Sequence, residues 1–313
     1  MSRLRTLRLG TRGSDLAMWQ ARRIAARMAD ELGASCEITV VKTQGDRIQN
    51  VAFHKMEGKG FFTKELQDSL LADRVDLVVH SLKDLPTDEP PGLQVAAIPE
   101  RGPSSDVLLA AAGSVATTPS DPIGLAEGAT VGSSSLRRAA QILALRPDLR
   151  ITALRGNVPT RVQKLRDGHF DAILLAAAGV SRLQLDLTGL ELRELPMDAM
   201  LPAPGQGALA IETRADGETA RVVSALHDGD VAECVDTERN LLQLLGGGCH
   251  LPLGCLAHRE ADGIRLQAVL GSVDAEVSRA EVARVAATAP DPQTVARACH
   301  HALRLAMPEV VDS

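Results

Sequence analysis

The sequence predicts an α/β protein: two α/β domains joined by two crossovers, followed by a small α+β domain. Three observations carry this. Over the first two thirds of the chain, short strand-like runs alternate with helix-period segments, as in parallel sheets covered by helices. Two punctuated stretches, Gly102 to Ser105 and Met200 to Gly207, interrupt the alternation and mark where the chain leaves one domain and returns to it. From about Gly229 a long helix is followed by alternating segments and a last helix, the pattern of a small antiparallel sheet with helical cover. The first domain is expected over 1–102 and 207–227, the second over 103–206 and the third over 228–313.

In order, Leu7 to Thr11 reads as a strand, and Ser14 or Asp15 caps a helix that runs to about Glu31 and stops at Gly33. Cys36 to Thr43 is β-branched and strand-like, and Thr63 to Ala72 is helical. Val75 to His80 and Leu93 to Ile98 are short apolar runs suited to the middle of a sheet. Arg101 to Glu127 is rich in Gly, Pro, Ser and Ala around one apolar run, Val107 to Ala112. Strands are then expected at Thr130 to Ser133, Arg150 to Leu154 and Ala172 to Leu175. Between them lie helices at Ser135 to Leu145 and Pro159 to Asp167, the latter with proline in its first turn. Ala208 to Thr213 returns as a strand. The last part contains a helix from Val231 to Leu245, alternating segments at Ile264 to Leu270 and Glu276 to Val285, and a helix from Pro292 to about Leu305.

Composition narrows the function. The 313 residues carry a net charge of −6, and aromatics make up only 2% with no tyrosine. A nucleic-acid binder normally has a basic domain and stacking aromatics, so that class is disfavoured. The arginines nevertheless cluster locally, which suits a small anion held in a focused site. The 5 cysteines (Cys36, Cys234, Cys249, Cys255 and Cys299) are odd in number and irregular in spacing, and so propose no disulfide framework. Without an apolar signal core or spanning segment, the expected location is cytoplasmic. No histidine or cysteine spacing suggests a metal site.

Cys249 is the most informative residue. In L-L-G-G-G-C-H-L-P-L-G (Leu244 to Gly254), three glycines precede one sulfur and leave room for a bulky group against the backbone. Such a thiol suits covalent attachment better than core packing.

Four other motifs fall where strands end, as anion sites of open α/β sheets do. V-G-S-S-S-L-R-R combines Ser133, Ser134 and Ser135 at a helix start with Arg137 and Arg138. Hydroxyls, helix dipole and guanidinium forks together read as an anion cradle, the plain alternative being a serine cap with surface arginines. L-R-G-N-V-P-T-R sets Arg155 and Arg161 around Gly156, whose lack of a side chain permits close approach. G-T-R-G-S brings Arg12 and Ser14, with Gln20 further along the same helix. H-S-L-K-D-L-P brings Ser81, Lys83 and Asp84; a solvated turn is its plain reading, whereas a carboxylate in a ligand site can stabilise a developing cation and handle protons. Glycines around Lys59, between Lys55 and Phe62, suggest a lid.

Taken in order, H-S-L-K-D-L-P, V-G-S-S-S-L-R-R, L-R-G-N-V-P-T-R, L-P-A-P-G-Q-G and G-G-C-H-L-P-L-G resemble the porphobilinogen deaminase (hydroxymethylbilane synthase) family over roughly four fifths of the chain. The resemblance implies two α/β domains like those of periplasmic binding proteins with a cleft between them, plus a C-terminal α+β domain bearing the cysteine. It implies a monomeric transferase of tetrapyrrole and haem biosynthesis that joins four porphobilinogen molecules head to tail with release of ammonia. The primer would be a dipyrromethane cofactor in thioether linkage to Cys249. Asp84 would be catalytic. Arg12, Ser14, Gln20, Lys59, Ser81, Lys83, Ser133, Ser134, Ser135, Arg137, Arg138, Arg155, Gly156, Arg161 and Arg182 would bind cofactor and substrate, with Lys55 and Phe62 in the lid. The sequence departs from the family pattern at Gln44, Ser104-Ser105, Gly246 and His250. A non-catalytic two-domain protein that captures a dicarboxylate would also suit the arginines. It would leave Cys249, Asp84 and the third domain unexplained.

Overall fold

The computed structural model describes residues 6–43, 63–114, 121, 123–247 and 251–312. Its contacts divide the chain into two compact units, one built from 6–102 and 207–233 and the other from 103–206 and 234–312.

The first unit is a five-stranded sheet of β1 (Leu7–Thr11), β2 (Cys36–Val40), β3 (Leu77–Ser81), β4 (Leu93–Ala97) and β10 (Leu209–Arg214), in the order β2-β1-β3-β10-β4. β1, β2 and β3 run parallel, while β10 is antiparallel to both neighbours. Alternation along β3 directs Leu77 and Val79 to one layer and Val78 to the other. Helix Asp15–Leu32 covers the first layer with Ala21, Ile24 and Met28. Ser14 caps it, its Oγ accepting from the Ala17 N–H at 3.4 Å, and Gly33 at φ 65 ends it. Helix Lys64–Leu71 covers the opposite layer with Leu66 and Leu70.

The second unit repeats the plan. Its sheet runs β7-β6-β8-β5-β9, formed by Arg150–Thr152, Thr130–Gly132, Ala172–Ala176, Asp106–Ala111 and Leu190–Glu194. β6, β7 and β8 are parallel, and β5 is antiparallel to β8 and β9. In both sheets the antiparallel strand beside the third parallel one is the first strand after a crossover: β5 follows 102–103 and β10 follows 206–207. On the first unit's side the two connections pair, with Gly102 donating to Gly207 O at 2.9 Å.

The second unit also holds the antiparallel sheet β11-β12-β13 (Leu253–Glu260, Gly263–Val273, Ala280–Ala289). Helices Gly229–Leu244 and Pro292–Ala306 contribute Leu241, Val295, Cys299 and Leu303 to its core. β11 is tied inward: the Cys255 N–H donates to Pro202 O at 2.8 Å, and the Glu238 carboxylate accepts from the Gly205 and Ala257 N–H groups at 2.7 and 2.9 Å. A Cβ on Gly254 would lie 2.7 Å from Leu201 O and 2.9 Å from Gln141 Nε2. Because Gln141 itself bonds both the N–H and the carbonyl of Leu201, that backbone has little room to retreat. Gly254→Ala is expected to destabilise the protein by about 1–3 kcal/mol, the range for overpacking. Urea unfolding checks this, and a loss below ~0.5 kcal/mol would contradict it.

Several elements escaped the sequence reading, among them three strands and helices of the second unit and the short helices Glu218–Val223 and Pro308–Val311. β9 (LELRE) is an edge strand with polar residues at alternate positions, helix Ala177–Leu183 is only two turns, and β11 starts straight after a proline-bearing loop. The last strand is Ala280–Ala289 rather than Glu276 to Val285, because Asp274 to Ser278 forms a turn in which the Asp274 carboxylate accepts from the Ser278 N–H and hydroxyl at 2.6 Å each.

Candidate functional site

In the first unit, the carboxyl ends of β1 and β3 lie side by side, and the segments following them line a pocket that is partly open to solvent. Arg12, Ser14, Gln20, Ser81 and Asp84, all expected at a site, line it together with Thr63, Leu66 and His80. Lys83 is half-buried in the same turn but is not part of that lining. The floor is rigid. Gln20 is buried on its helix and donates from Nε2 to Ser81 Oγ at 2.7 Å. The Leu82 N–H donates to Ala208 O at 3.0 Å, and buried Leu82 and Leu85 flank the single turn that presents the exposed Asp84.

Behind the pocket lies a pair that the sequence reading did not pick out. His80 Nε2 and Glu212 Oε2 are 2.9 Å apart, and Gln67 Nε2 donates to Glu212 Oε1 at 2.8 Å, all three side chains being buried. A lone acid in the apolar strand Leu209–Arg214 was the available signal. Its partners stand 132 and 145 positions away in sequence, and only the fold joins them.

In the second unit, the other polar motifs share one sheet edge, since β7, β6 and β8 are parallel neighbours. After β7, Gly156 sits at φ +112, and a Cβ there would lie 2.7 Å from Thr160 Cγ2, so the turn requires glycine. Asn157 caps helix Val158–Arg166 by accepting from the Thr160 N–H at 3.0 Å. Arg161 Nε donates to Gly156 O at 2.7 Å, and Lys164 Nζ to Arg155 O at 3.1 Å, so the chain bends tightly beneath half-buried Arg155 and Arg161. Arg182, also half-buried, lies in the helix that follows β8.

The serine-arginine motif after β6 is held in place by internal contacts. Ser133 Oγ accepts from the Ser135 N–H at 3.2 Å, and Ser135 Oγ caps the next helix by accepting from the Arg138 N–H at 3.5 Å. Ser134 Oγ donates to Leu154 O at 2.7 Å and accepts the Leu154 N–H at 3.1 Å, which locks this motif to the one bearing Arg155. Arg137 and Arg138 are 5% and 6% exposed and meet a carboxylate of the protein itself. Arg137 Nη1 donates to Asp106 Oδ2 at 2.6 Å and to Leu201 O at 2.7 Å. Arg138 gives Nε and Nη2 to Asp106 Oδ1 at 3.1 and 2.7 Å, and Nη1 to Leu174 O at 3.0 Å. Gln206 adds a donor to Asp106 Oδ1 at 3.0 Å. Burial alone would push the Asp106 carboxyl up; the charges of Arg137 and Arg138, then their hydrogen bonds, outweigh it and hold it well below the usual carboxylate range. The cluster stands where both connections enter this unit, since Asp106 opens β5 and Gln206 also donates to Ser104 O at 2.7 Å.

Cys249, Lys55, Lys59 and Phe62 lie outside the described residues. The helix before Cys249 ends in a defined way: the Gly246 and Gly247 N–H groups donate to Gln243 O and Leu242 O at 3.1 and 2.8 Å, with Gly246 at φ +81. That left-handed turn gives Gly246, one of the departures from the family pattern, a local reason. Burial pushes the Cys36 and Cys299 thiols up to about 11, which makes both poor nucleophiles near neutrality.

Residues 7–222 match the family description "Porphobilinogen deaminase, dipyromethane cofactor binding domain", and 232–304 match "Porphobilinogen deaminase, C-terminal domain". A porphobilinogen deaminase from Syntrophobacter fumaroxidans is 46% identical over 275 residues, covering 87% of this chain and 86% of that protein. One from Helicobacter hepaticus is 43% identical over 270 residues, covering 86% and 82%. Among solved structures, the OxyR2 regulatory domain from Vibrio vulnificus is similar at 14% identity and a TM-score of 0.45, covering 72% of this chain and 98% of that one. Matched by both family domains and more than two fifths identical to those relatives over most of its length, the chain belongs to the porphobilinogen deaminase family.

Proposed function

We propose that this enzyme of tetrapyrrole synthesis acts as a transferase, hydroxymethylbilane synthase, joining four porphobilinogen molecules head to tail with release of ammonia. The observation that carries this is the pocket of the first unit, where Arg12, Ser14, Gln20, Ser81 and Asp84 converge at strand ends within the residues that match the cofactor-binding domain. The donor set fits dipyrromethane, whose pyrrole rings carry acetate and propionate groups, because guanidinium forks and hydroxyls recognise carboxylates. When bound, the cofactor supplies the ring carbon from which the product grows. Cys249 would hold it, and Arg12, Lys83, Arg155, Arg161 and Arg182 would take carboxylates. Ser133, Ser134, Ser135, Arg137 and Arg138 would serve chiefly by holding the backbone and guanidinium groups in place, since their contacts among the described residues are internal. Asp84 would stabilise positive charge at the reacting carbon. Lys55, Lys59 and Phe62 would belong to a lid. A cytoplasmic monomer without nucleic-acid partners completes the reading; among the described residues no helix is long and apolar enough to cross a membrane.

Intact mass of the freshly purified protein tests this, with Cys249→Ser beside it. The expected result is an added mass of two condensed porphobilinogen units on the wild type and none on the variant. A wild-type chain that remains unmodified after incubation with porphobilinogen would overturn the reading in favour of an anion-binding protein.

A further inference from the structure

We propose that His80 is the proton carrier of the pocket and that Glu212 is the positioning residue that sets its tautomer. The inference rests on the activity proposed above. Alternation on β3 sends Ser81 toward helix Asp15–Leu32 and His80 to the opposite layer, yet both reach the pocket because it opens over the strand end. On the His80 layer, Glu212 of β10 sits diagonally across the ladder, in register with Val78, while Ala210 faces His80. Helix Lys64–Leu71 closes over the pair with Gln67, and the same helix gives Leu66 to the pocket wall.

A Glu at 1% exposure and a His at 6% are costly to bury. A core histidine satisfied only for packing would have no need of an ionisable partner, nor of a face on the ligand pocket. Each Glu212 oxygen has one partner here: Oε1 accepts from Gln67 Nε2–H at 2.8 Å, and Oε2 lies 2.9 Å from His80 Nε2. A carboxylate acceptor fixes the proton on Nε2 and leaves the Nδ1 lone pair for the pocket that His80 lines. Among the described residues, Nδ1 has no hydrogen-bond partner.

The reaction needs such a group. The aminomethyl group leaves from its ammonium form, so that as the carbon–nitrogen bond breaks the electron pair goes to ammonia. The carbon–carbon bond forms from the attacking ring carbon, and that carbon must lose its proton. Nδ1 of His80 takes the proton and passes it to the departing ammonia, so that ammonium is released and His80 is restored. Asp84 lines the same pocket and stabilises the developing positive charge beside it.

Glu212→Gln tests the assignment because it keeps size and hydrogen-bonding capacity. With Gln67 donating to the new Oε1, the amide N–H can only donate to His80 Nε2, which moves the histidine proton to Nδ1. Nitrogen-15 spectra of histidine-labelled holoenzyme should show Nε2 protonated in the wild type and Nδ1 protonated in E212Q. Turnover should fall about tenfold or more, within the range for lost proton transfer, while KM for porphobilinogen changes less than about twofold. Gln67→Leu, which leaves the carboxylate and His80 in place, should retain the wild-type tautomer and turnover within about threefold. Turnover of E212Q equal to wild type with the tautomer reversed would overturn the role of His80 alone. A wild-type Nε2 without its proton would do the same, and that measurement needs no variant to fold. A wild type with no turnover at all would instead overturn the parent activity, and the proton-carrying role with it.

Discussion

Asp84→Asn should reduce turnover by about 100-fold or more while the protein still carries its covalent cofactor. The reason lies in the geometry of the turn. Asp84 is exposed at the pocket, whereas its neighbours Leu82 and Leu85 are buried and fix the backbone through the Leu85 N–H to Leu82 O bond at 3.1 Å. Asparagine keeps the shape and loses only the charge. Folding stability should therefore stay within about 0.5 kcal/mol of wild type, as for exposed substitutions generally. The loss should fall on kcat rather than on KM, because the carboxylate is needed where positive charge develops and not where substrate carboxylates are held. Steady-state kinetics with an intact-mass control decides the matter: turnover within a few-fold of wild type would remove Asp84 from the mechanism.

Asp106→Asn should produce the largest loss of stability, about 3–5 kcal/mol, because it leaves two buried guanidinium groups without their counter-charge. Asp106 is wholly buried and takes donors from Arg137, Arg138 and Gln206. An exposed pair such as Arg304 with Asp312 should give a tenth of that or less. The pH dependence has a definite sign. The folded-state carboxyl of Asp106 lies below its unfolded value, so its contribution is fully present above about pH 4 and is lost as the pH falls through the folded value. Urea unfolding at pH 7 gives the magnitude. A loss below ~1 kcal/mol would mean that the arginines find other partners when the carboxylate is gone.

Local chemistry made much of this molecule readable. Of the two caps the sequence offered for the first helix, Ser14 is the one that acts, and Gly33 ends that helix in the left-handed turn expected of it. Arg12, Ser14, Gln20, Ser81 and Asp84 share one pocket because their motifs follow adjacent parallel strands, and strand ends are legible from alternation and turn residues. The short edge strand β9 and the helix carrying Arg182 were not legible, since neither is long or periodic enough to stand out.

What the sequence alone determined was the family, the order of the α/β and α+β segments and the polar motifs that follow the strands, because motif spacing and hydrophobic period are local properties. What only the tertiary structure decided was which charges face inward. Arg137 and Arg138, read in the sequence as anion-binding residues, clasp Asp106, which lies 31 and 32 positions away. Glu212 likewise acquires His80 and Gln67 only when β10 returns from the second crossover to lie beside β3. A buried charge is stable only with a partner at hydrogen-bond distance, and such partners come from anywhere in the chain, so their identity is a property of the packed sheet.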